Sequence, residues 1–415
     1  MQELFPRVLQ VSTPAAIRAE LERVGADSSI QDKIARAEFY LVKLERVSLS
    51  LARFLYQELA MEGGQVVTAL QLEHVGTDET DVLLCATRYQ FNHLIVRLRM
   101  QPSPELQTLA DTIERALVHF VSPPPALELG TTRFDWTRTY VMGILNVTPD
   151  SFSGDALLQP NADERTTVAR VLKRAHELVA HGADLLDLGG ESTRPNAVPV
   201  DAETELQRVI PVLRALKNEI SVPFSIDTSK SRVAEAALNA GAALVNDVTG
   251  LRGDPEMKRV VAAHHAPIVI MHNWKKYERP ANVNDVLSVI LRELWAQTET
   301  ALDAGISPSK ILVDPGIGFG KTASENLEIL NRLGELRVLG LPILIGPSRK
   351  GFISKTLGVA VDEREEGTAA AISIGILRGA NILRVHDVKA MTRVARMTEA
   401  IHAQSSKSLN PSSGL

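Results

Sequence analysis

The hydrophobic positions of this chain change rhythm about a third of the way along it. From Arg138 onward, short runs rich in Val, Ile and Leu recur: VMGILNV, ADLLDLGG, VPFSID, ALVNDV, APIVIMH, ILVDPG, LPILIG and NILRVHD. They are apolar at successive positions instead of alternate ones, the pattern of strands covered on both faces. Stretches of helical period lie between them, among them TTVARVLKRAHELVAHG, DAETELQRVIPVLRALKNE, SRVAEAALNAG and NDVLSVILRELWAQTETALDAG. Only PEMKRVVAAHH, between ALVNDV and APIVIMH, is short. Eight such units in about 265 residues suit a closed parallel (β/α)8 TIM barrel better than an open sheet. FDWTRTY (134–140) reads as a strand or hairpin capping the barrel floor.

The earlier chain mixes both periods. Thr13-Pro14 opens a helix that Gly25 closes, and FYLVKLERV (39–47) reads as a strand. Leu49 to Met61 reads as a helix, DVLLCAT (81–87) as a strand, and 89–100 and 104–117 as helices. Val121-Ser122-Pro123-Pro124-Pro125 cannot continue a helix. The expected organisation is a small α+β accessory domain over 1–121, a Pro-rich linker over 122–130 and the barrel over 131–403. A polar, Ser-rich tail over 404–415 is expected to be disordered.

Composition narrows the function classes. The chain has 415 residues, 45% hydrophobic and 23% charged, which fits folded globular domains. A net charge of −5 gives no global basic field, which argues against nucleic acid or an acidic membrane as partner. Cys85 is the single cysteine, so an internal disulfide and a Cys-based metal cluster are excluded and a reducing cytosol is expected. No secretory signal or membrane-spanning run is legible.

The chemistry lies where the strands stop. The first runs into Asn146 and VTPDSFSGD, the second into Asp187 and GGESTRP, the third into Asp227-Thr228, and the fourth into Asn246-Asp247. The fifth ends at Met271-His272-Asn273, the sixth at Asp314 and GIGFGK, the seventh at SRKG, and the eighth at Arg384-Val385-His386-Asp387. One such Asp is ordinarily a helix cap. Eight polar ends on the catalytic face of a barrel point to a site. Asp187, Asp227, Asp247, Asp314 and Asp387 are expected to face Arg349, Lys350, Arg384 and His386 across one pocket. Carboxylates accept paired N–H donors from an amino-bearing heterocycle, while the cations suit phosphate or carboxylate.

Taken together, NVTPDSFSGD, GGESTRP, SIDTSK, NDVTG, MH, DPGIGFGK, SRKGF and RVHDV closely resemble the dihydropteroate synthase family of folate biosynthesis, over about residues 130–403. The first 120 residues are similar to the extension that precedes the barrel in some bacterial members. The resemblance implies condensation of a hydroxymethyl-dihydropterin pyrophosphate with p-aminobenzoate, with Mg²⁺ as cofactor. It implies that Asp227, Asn246, Asp314 and Lys350 hold the pterin, with Met271 packed against the ring and Arg384 over it. Asn146 would contact Mg²⁺ and the pyrophosphate, which Arg384 and His386 would also bind. Thr193, Arg194 and Pro195 with Phe319, Ser348 and Arg349 would shape the p-aminobenzoate pocket. A homodimer in the cytoplasm is implied as well. The lid reads SFSGDAL where many members have SFSDGG, so Asp155 is left unassigned. Two alternatives stand at this stage: a methyltetrahydrofolate-corrinoid methyltransferase, and a non-catalytic pterin-binding protein.

Overall fold

The computed structural model describes residues 7–9, 11, 13–26, 29–68, 78–149, 157–158, 163–192, 198–281 and 283–404. The chain parts into two compact units, the second being Ser122–Ala400 and the first the residues on either side of it.

In the first unit, α1 (Pro14–Arg23) begins where Thr13 accepts the Ala16 N–H on its hydroxyl at 3.2 Å. α2 (Ile30–Ala37) leads to β1 (Phe39–Ser48), α3 (Leu49–Met61), β2 (Gln65–Thr68), β3 (Glu79–Thr87), α4 (Arg88–Arg99) and α5 (Pro104–Val121). The antiparallel sheet has the order β1-β3-β2. Its buried cluster includes Leu55, Leu59, Leu84, Phe91, Leu94, Leu98 and Ile113. The sequence pattern missed α2 and β2 for a physical reason. Among their described residues α2 buries only Ile34, and β2 has four residues, too few to display a period.

The second unit opens with a hairpin, β4 (Leu127–Leu129) and β5 (Thr132–Phe134). Two expectations are corrected here. The hairpin starts inside the stretch read as linker, and after Phe134 residues 135–139 form a loop instead of a strand. Asp135 fixes that loop, accepting the Thr137 N–H at 3.1 Å and the Thr137 and Tyr140 hydroxyls at 2.7 and 2.9 Å.

The barrel strands follow: β6 (Tyr140–Asn146), β7 (Leu185–Gly189), β8 (Phe224–Asp227), β9 (Leu244–Asp247), β10 (Ile268–Met271), β11 (Ile311–Asp314), β12 (Leu344–Ile345) and β13 (Ile382–Val385). All eight are parallel in one sheet, and a parallel bridge between Val313 and Ile343 joins its two ends. The connecting helices are α6 (Glu164–Ala180), α7 (Ala202–Glu219), α8 (Ser231–Ala240), α9 (Met257–Ala263), α10 (Val286–Asp303), α11 (Ala323–Asn331), α12 (Gly351–Leu357), α13 (Glu365–Leu377) and α14 (Val388–Ala403).

Successive strand residues face opposite sides of a sheet, so each strand divides its own side chains. One set, including Val141, Leu186, Ile226, Val245, Ile270, Val313 and Leu383, packs in the layer under the helices. The other set, Met142, Leu185, Leu244, Val269, Leu312, Leu344 and Ile382, fills the barrel and rests on Leu127, Leu129 and Phe134 of the hairpin. The hairpin therefore seals the amino-terminal end. The carboxyl ends remain for the polar residues.

Candidate active site

Strand parity decides which polar residues enter the mouth. Two positions beyond Leu185 comes Asp187, and two beyond Leu244 comes Asn246. Asp314 follows Leu312, Met271 follows Val269, and Arg384 follows Ile382 in the same way. The parallel register sets Asn146 beside Gly189, Gly189 beside Asp227, Asp227 beside Asn246, and Met271 beside Asp314. These side chains share one end of one barrel.

Asp187 is the fully buried centre of the acidic half. It accepts from the Ser225 hydroxyl at 2.5 Å, Asn246 Nδ2 at 3.1 Å and Arg384 Nε at 2.6 Å. Arg384 Nη2 donates to Asp227 Oδ2 at 2.7 Å. A buried charge is tolerated when it is paired and hydrogen-bonded in this way. Burial pushes the Asp227 carboxyl above its ordinary range, with Arg384 opposing. The guanidinium is thus held by two carboxylates that were both expected to face it, whereas Ser225, which braces Asp187, had been given no role.

On β11, Asp314 accepts the Gly316 N–H at 2.6 Å. Burial raises its pKa to about 6, against the pull of that amide and of Lys350. Burial also lowers Lys350 to about 8, helped by Arg384 and opposed by Asp314 and Asp227. The Lys350 ammonium lies 4.1 Å from the centroid of the Phe319 ring, a cation–π contact that fixes both. Lys350 enters the site from a strained turn, because Arg349 has φ +56. That turn is held by the Arg349 N–H on Thr368 Oγ1 at 3.1 Å, by Arg364 donating to the Arg349 carbonyl at 2.7 Å, and by Arg349 Nη2 on Asp387 at 2.8 Å. Ser348 and His386 join the seventh and eighth strand ends through Oγ and Nδ1 at 3.0 Å, with the His386 N–H on Ser348 Oγ at 3.2 Å.

The GIGFGK turn explains its glycine and lysine. Gly316 has φ +68, and a Cβ there would come 1.9 Å from the His272 carbonyl oxygen. Lys321 Nζ donates to the carbonyls of Gly316, Phe319 and His272 at 3.0, 3.3 and 3.3 Å. This lysine locks the loop behind Asp314. Burial lowers its pKa to about 7. Sequence reasoning gave it no role, because its partners are backbone carbonyls, two of them in its own turn and one on the β10 loop.

Asp247 is a correction. It was expected in the pocket, but parity turns it outward, where it accepts the Thr249 N–H and hydroxyl at 2.8 and 2.6 Å and the Leu251 N–H at 2.7 Å. It ties a turn. His272, also one position past an inward residue, is fully buried against Trp274, with centroids 4.8 Å apart. Burial holds its pKa down to about 4, so the ring is neutral. Met271 is buried and Asn146 half-buried at the mouth. Thr193, Arg194, Pro195 and Asp155 lie outside the described residues.

A parallel barrel that joins a buried acidic grip to lysine and arginine at its carboxyl end is an enzyme scaffold for a ligand with a donor-rich ring and an anionic arm. The chain belongs to the family of pterin binding enzymes, which it matches over residues 142–386. It is 44% identical over 283 residues to a dihydropteroate synthase of Synechocystis, covering 67% of this chain and 96% of that protein. It is similar to the solved dihydropteroate synthase of Clostridium difficile in the presence of pteroic acid, with TM-score 0.60 and 46% identity, covering 65% of this chain and 99% of that one. A probable bifunctional folylpolyglutamate synthase/dihydropteroate synthase of Halobacterium salinarum is 38% identical over 361 residues, 86% of this chain and 42% of that protein. That match is longer than the second unit and so extends into the first.

Proposed function

We propose that the protein condenses 6-hydroxymethyl-7,8-dihydropterin pyrophosphate with p-aminobenzoate, giving 7,8-dihydropteroate and pyrophosphate. The observation that carries this reading is the single inward row in which Asp227, Asn246 and Asp314 meet Lys350 and Arg384.

The pterin ring offers paired N–H donors, which an ionised Asp314 accepts, while Asp227, Asn246 and Lys350 fix its other edges. Met271 supports the ring face and Arg384 lies over it. The arylamine attacks the exocyclic methylene with its own lone pair, the carbon–oxygen bond to pyrophosphate breaks, and the amine then loses a proton. No strong base is needed. Arg384, His386 and Asn146 meet the departing charge, and each such contact is worth about 3–4 kcal/mol of barrier. Arg384 is oriented in advance by Asp187, so it does not reorganise as charge develops. Thr193, Arg194 and Pro195 with Phe319, Ser348 and Arg349 hold p-aminobenzoate near the methylene.

Mg²⁺ belongs to this reading. Among the described residues no cluster of three or more His, Cys, Asp or Glu could hold a metal, and Asn146 supplies one amide oxygen at the mouth. That donor set fits a Mg²⁺ bound mainly through substrate phosphate oxygens. When bound, it neutralises charge on the leaving group. We further propose a cytoplasmic homodimer, with the first unit as an accessory domain. Among the described residues no helix is long and apolar enough to cross a membrane.

The test is pyrophosphate release. Release that requires both p-aminobenzoate and the pterin ester, and that collapses in Lys350→Ala, is the expected result. A methyltransferase would release none.

A further inference from the structure

Lys321 has no part in the reaction above, yet its hydrogen bonds converge on the residues that hold Asp314. Two amides fix that aspartate. The Gly316 N–H reaches its carboxylate at 2.6 Å, and the His272 N–H reaches its backbone carbonyl at 2.9 Å. Lys321 Nζ donates to the carbonyls of these same two residues, at 3.0 and 3.3 Å. Its third bond, at 3.3 Å, goes to the carbonyl of Phe319, whose ring meets the Lys350 ammonium. A neutral amine has two N–H bonds, so three donated bonds call for the ammonium.

Closing the turn does not require this charge. A Cβ at Gly320 would lie 2.5 Å from the Trp274 carbonyl carbon, so the backbone already packs on the β10 loop. A buried ammonium costs desolvation. What it adds is a positive charge behind Asp314. Burial lowers the lysine's pKa, with Asp314, Glu293 of α10 and Glu325 of α11 opposing and Lys350 adding to the fall. The adjoining His272 ring is neutral. Burial raises the Asp314 carboxyl, and the Gly316 N–H, Lys350, Lys321 and Arg384 oppose it.

We propose that Lys321 is a positioning residue for the pterin grip, its ammonium holding Asp314 in place through Gly316 and His272. The same charge favours the carboxylate form that accepts the ring's N–H donors. This rests on the reading of Asp314 as a pterin ligand.

The test is the pH profile of kcat/KM for the pterin ester in full-chain Lys321→Met. Without the nearby positive charge the acid limb should move up by about one pH unit. At pH 5 the variant should therefore lose about tenfold, and at pH 8, where the carboxyl is ionised in both proteins, much less. Lys321→Gln, neutral but still a donor, should show the same shift and serves if the Met variant does not fold. In the Asp314→Asn background, replacing Lys321 should leave the ratio of pH 5 to pH 8 activity unchanged. An acid limb at its parental pH in a folded variant, or equal losses at pH 5 and pH 8, overturns the proposal. Asp314→Asn alone separates the causes. If it weakens pterin binding while the Lys321 variants keep the parental limb, only the role of Lys321 fails. If it leaves pterin binding unchanged, the reading of Asp314 fails and the proposal falls with it.

Discussion

Asp314→Asn separates what the acidic grip contributes to binding from what it costs in folding. The carboxyl ends β11 with 6% of the residue exposed, and burial holds its pKa at about 6 instead of 3.8. A carboxyl raised on folding penalises its ionised form. The fold therefore loses stability as pH climbs past the unfolded value near 3.8, and the loss is complete above about 6. A difference of about two pKa steps corresponds to about 3 kcal/mol at pH 8, and about half of that at pH 5. Asn keeps an oxygen to accept the Gly316 N–H and carries no charge. The variant should be more stable than the parent by about 3 kcal/mol at pH 8, or about 5 °C for a barrel of this size. Binding moves the other way. An amide accepts through one oxygen where the carboxylate used two, so pterin affinity should fall by about 1–3 kcal/mol. Thermal unfolding at pH 5 and 8, with calorimetric titration of the pterin, reads both quantities. A variant less stable at pH 8, or a gain that does not grow with pH, would refute the reasoning.

Three other outcomes follow from the same geometry. The kcat/KM for the pterin ester should be bell-shaped, falling below about 6 as Asp314 protonates and above about 8 as Lys350 loses its charge; a flat profile from pH 5 to 9 contradicts this. Leu312→Ala, deep inside the barrel above the hairpin, should cost about 2–5 kcal/mol in urea unfolding. A loss under about 1 kcal/mol would mean the interior is not packed as described. Residues 122–404 should unfold cooperatively on their own and release pyrophosphate, since the hairpin and barrel have their own buried clusters; failure to fold would make the first unit part of the barrel's stability.

The barrel was legible because its strands are apolar on both faces, and all eight runs became strands of one sheet. LPILIG kept only Leu344–Ile345 in regular pairing, since Pro342 has no amide to give and the polar SRK turn begins soon after. Within the site, strand parity was available in the sequence and would have separated Asn246 from Asp247 and Met271 from His272. What no local pattern carried was the pairing of Arg384 with Asp187 and Asp227, which joins residues 197 and 157 positions apart. The same is true of Lys321, whose Nζ is fixed partly by the carbonyl of His272, 49 positions away. The hairpin was misplaced because its strands are three residues each, below the length at which alternation can be read.

The central claim is that one barrel mouth grips the pterin by its acidic row and the pyrophosphate by its cationic rim. A crystal structure of the protein soaked with the pterin pyrophosphate tests it most directly. The account predicts the ring between Asp227, Asn246, Asp314 and Lys350, with the phosphates toward Asn146, Arg384 and His386. A ring bound away from Asp314, or phosphates held at a different end of the barrel, would contradict it.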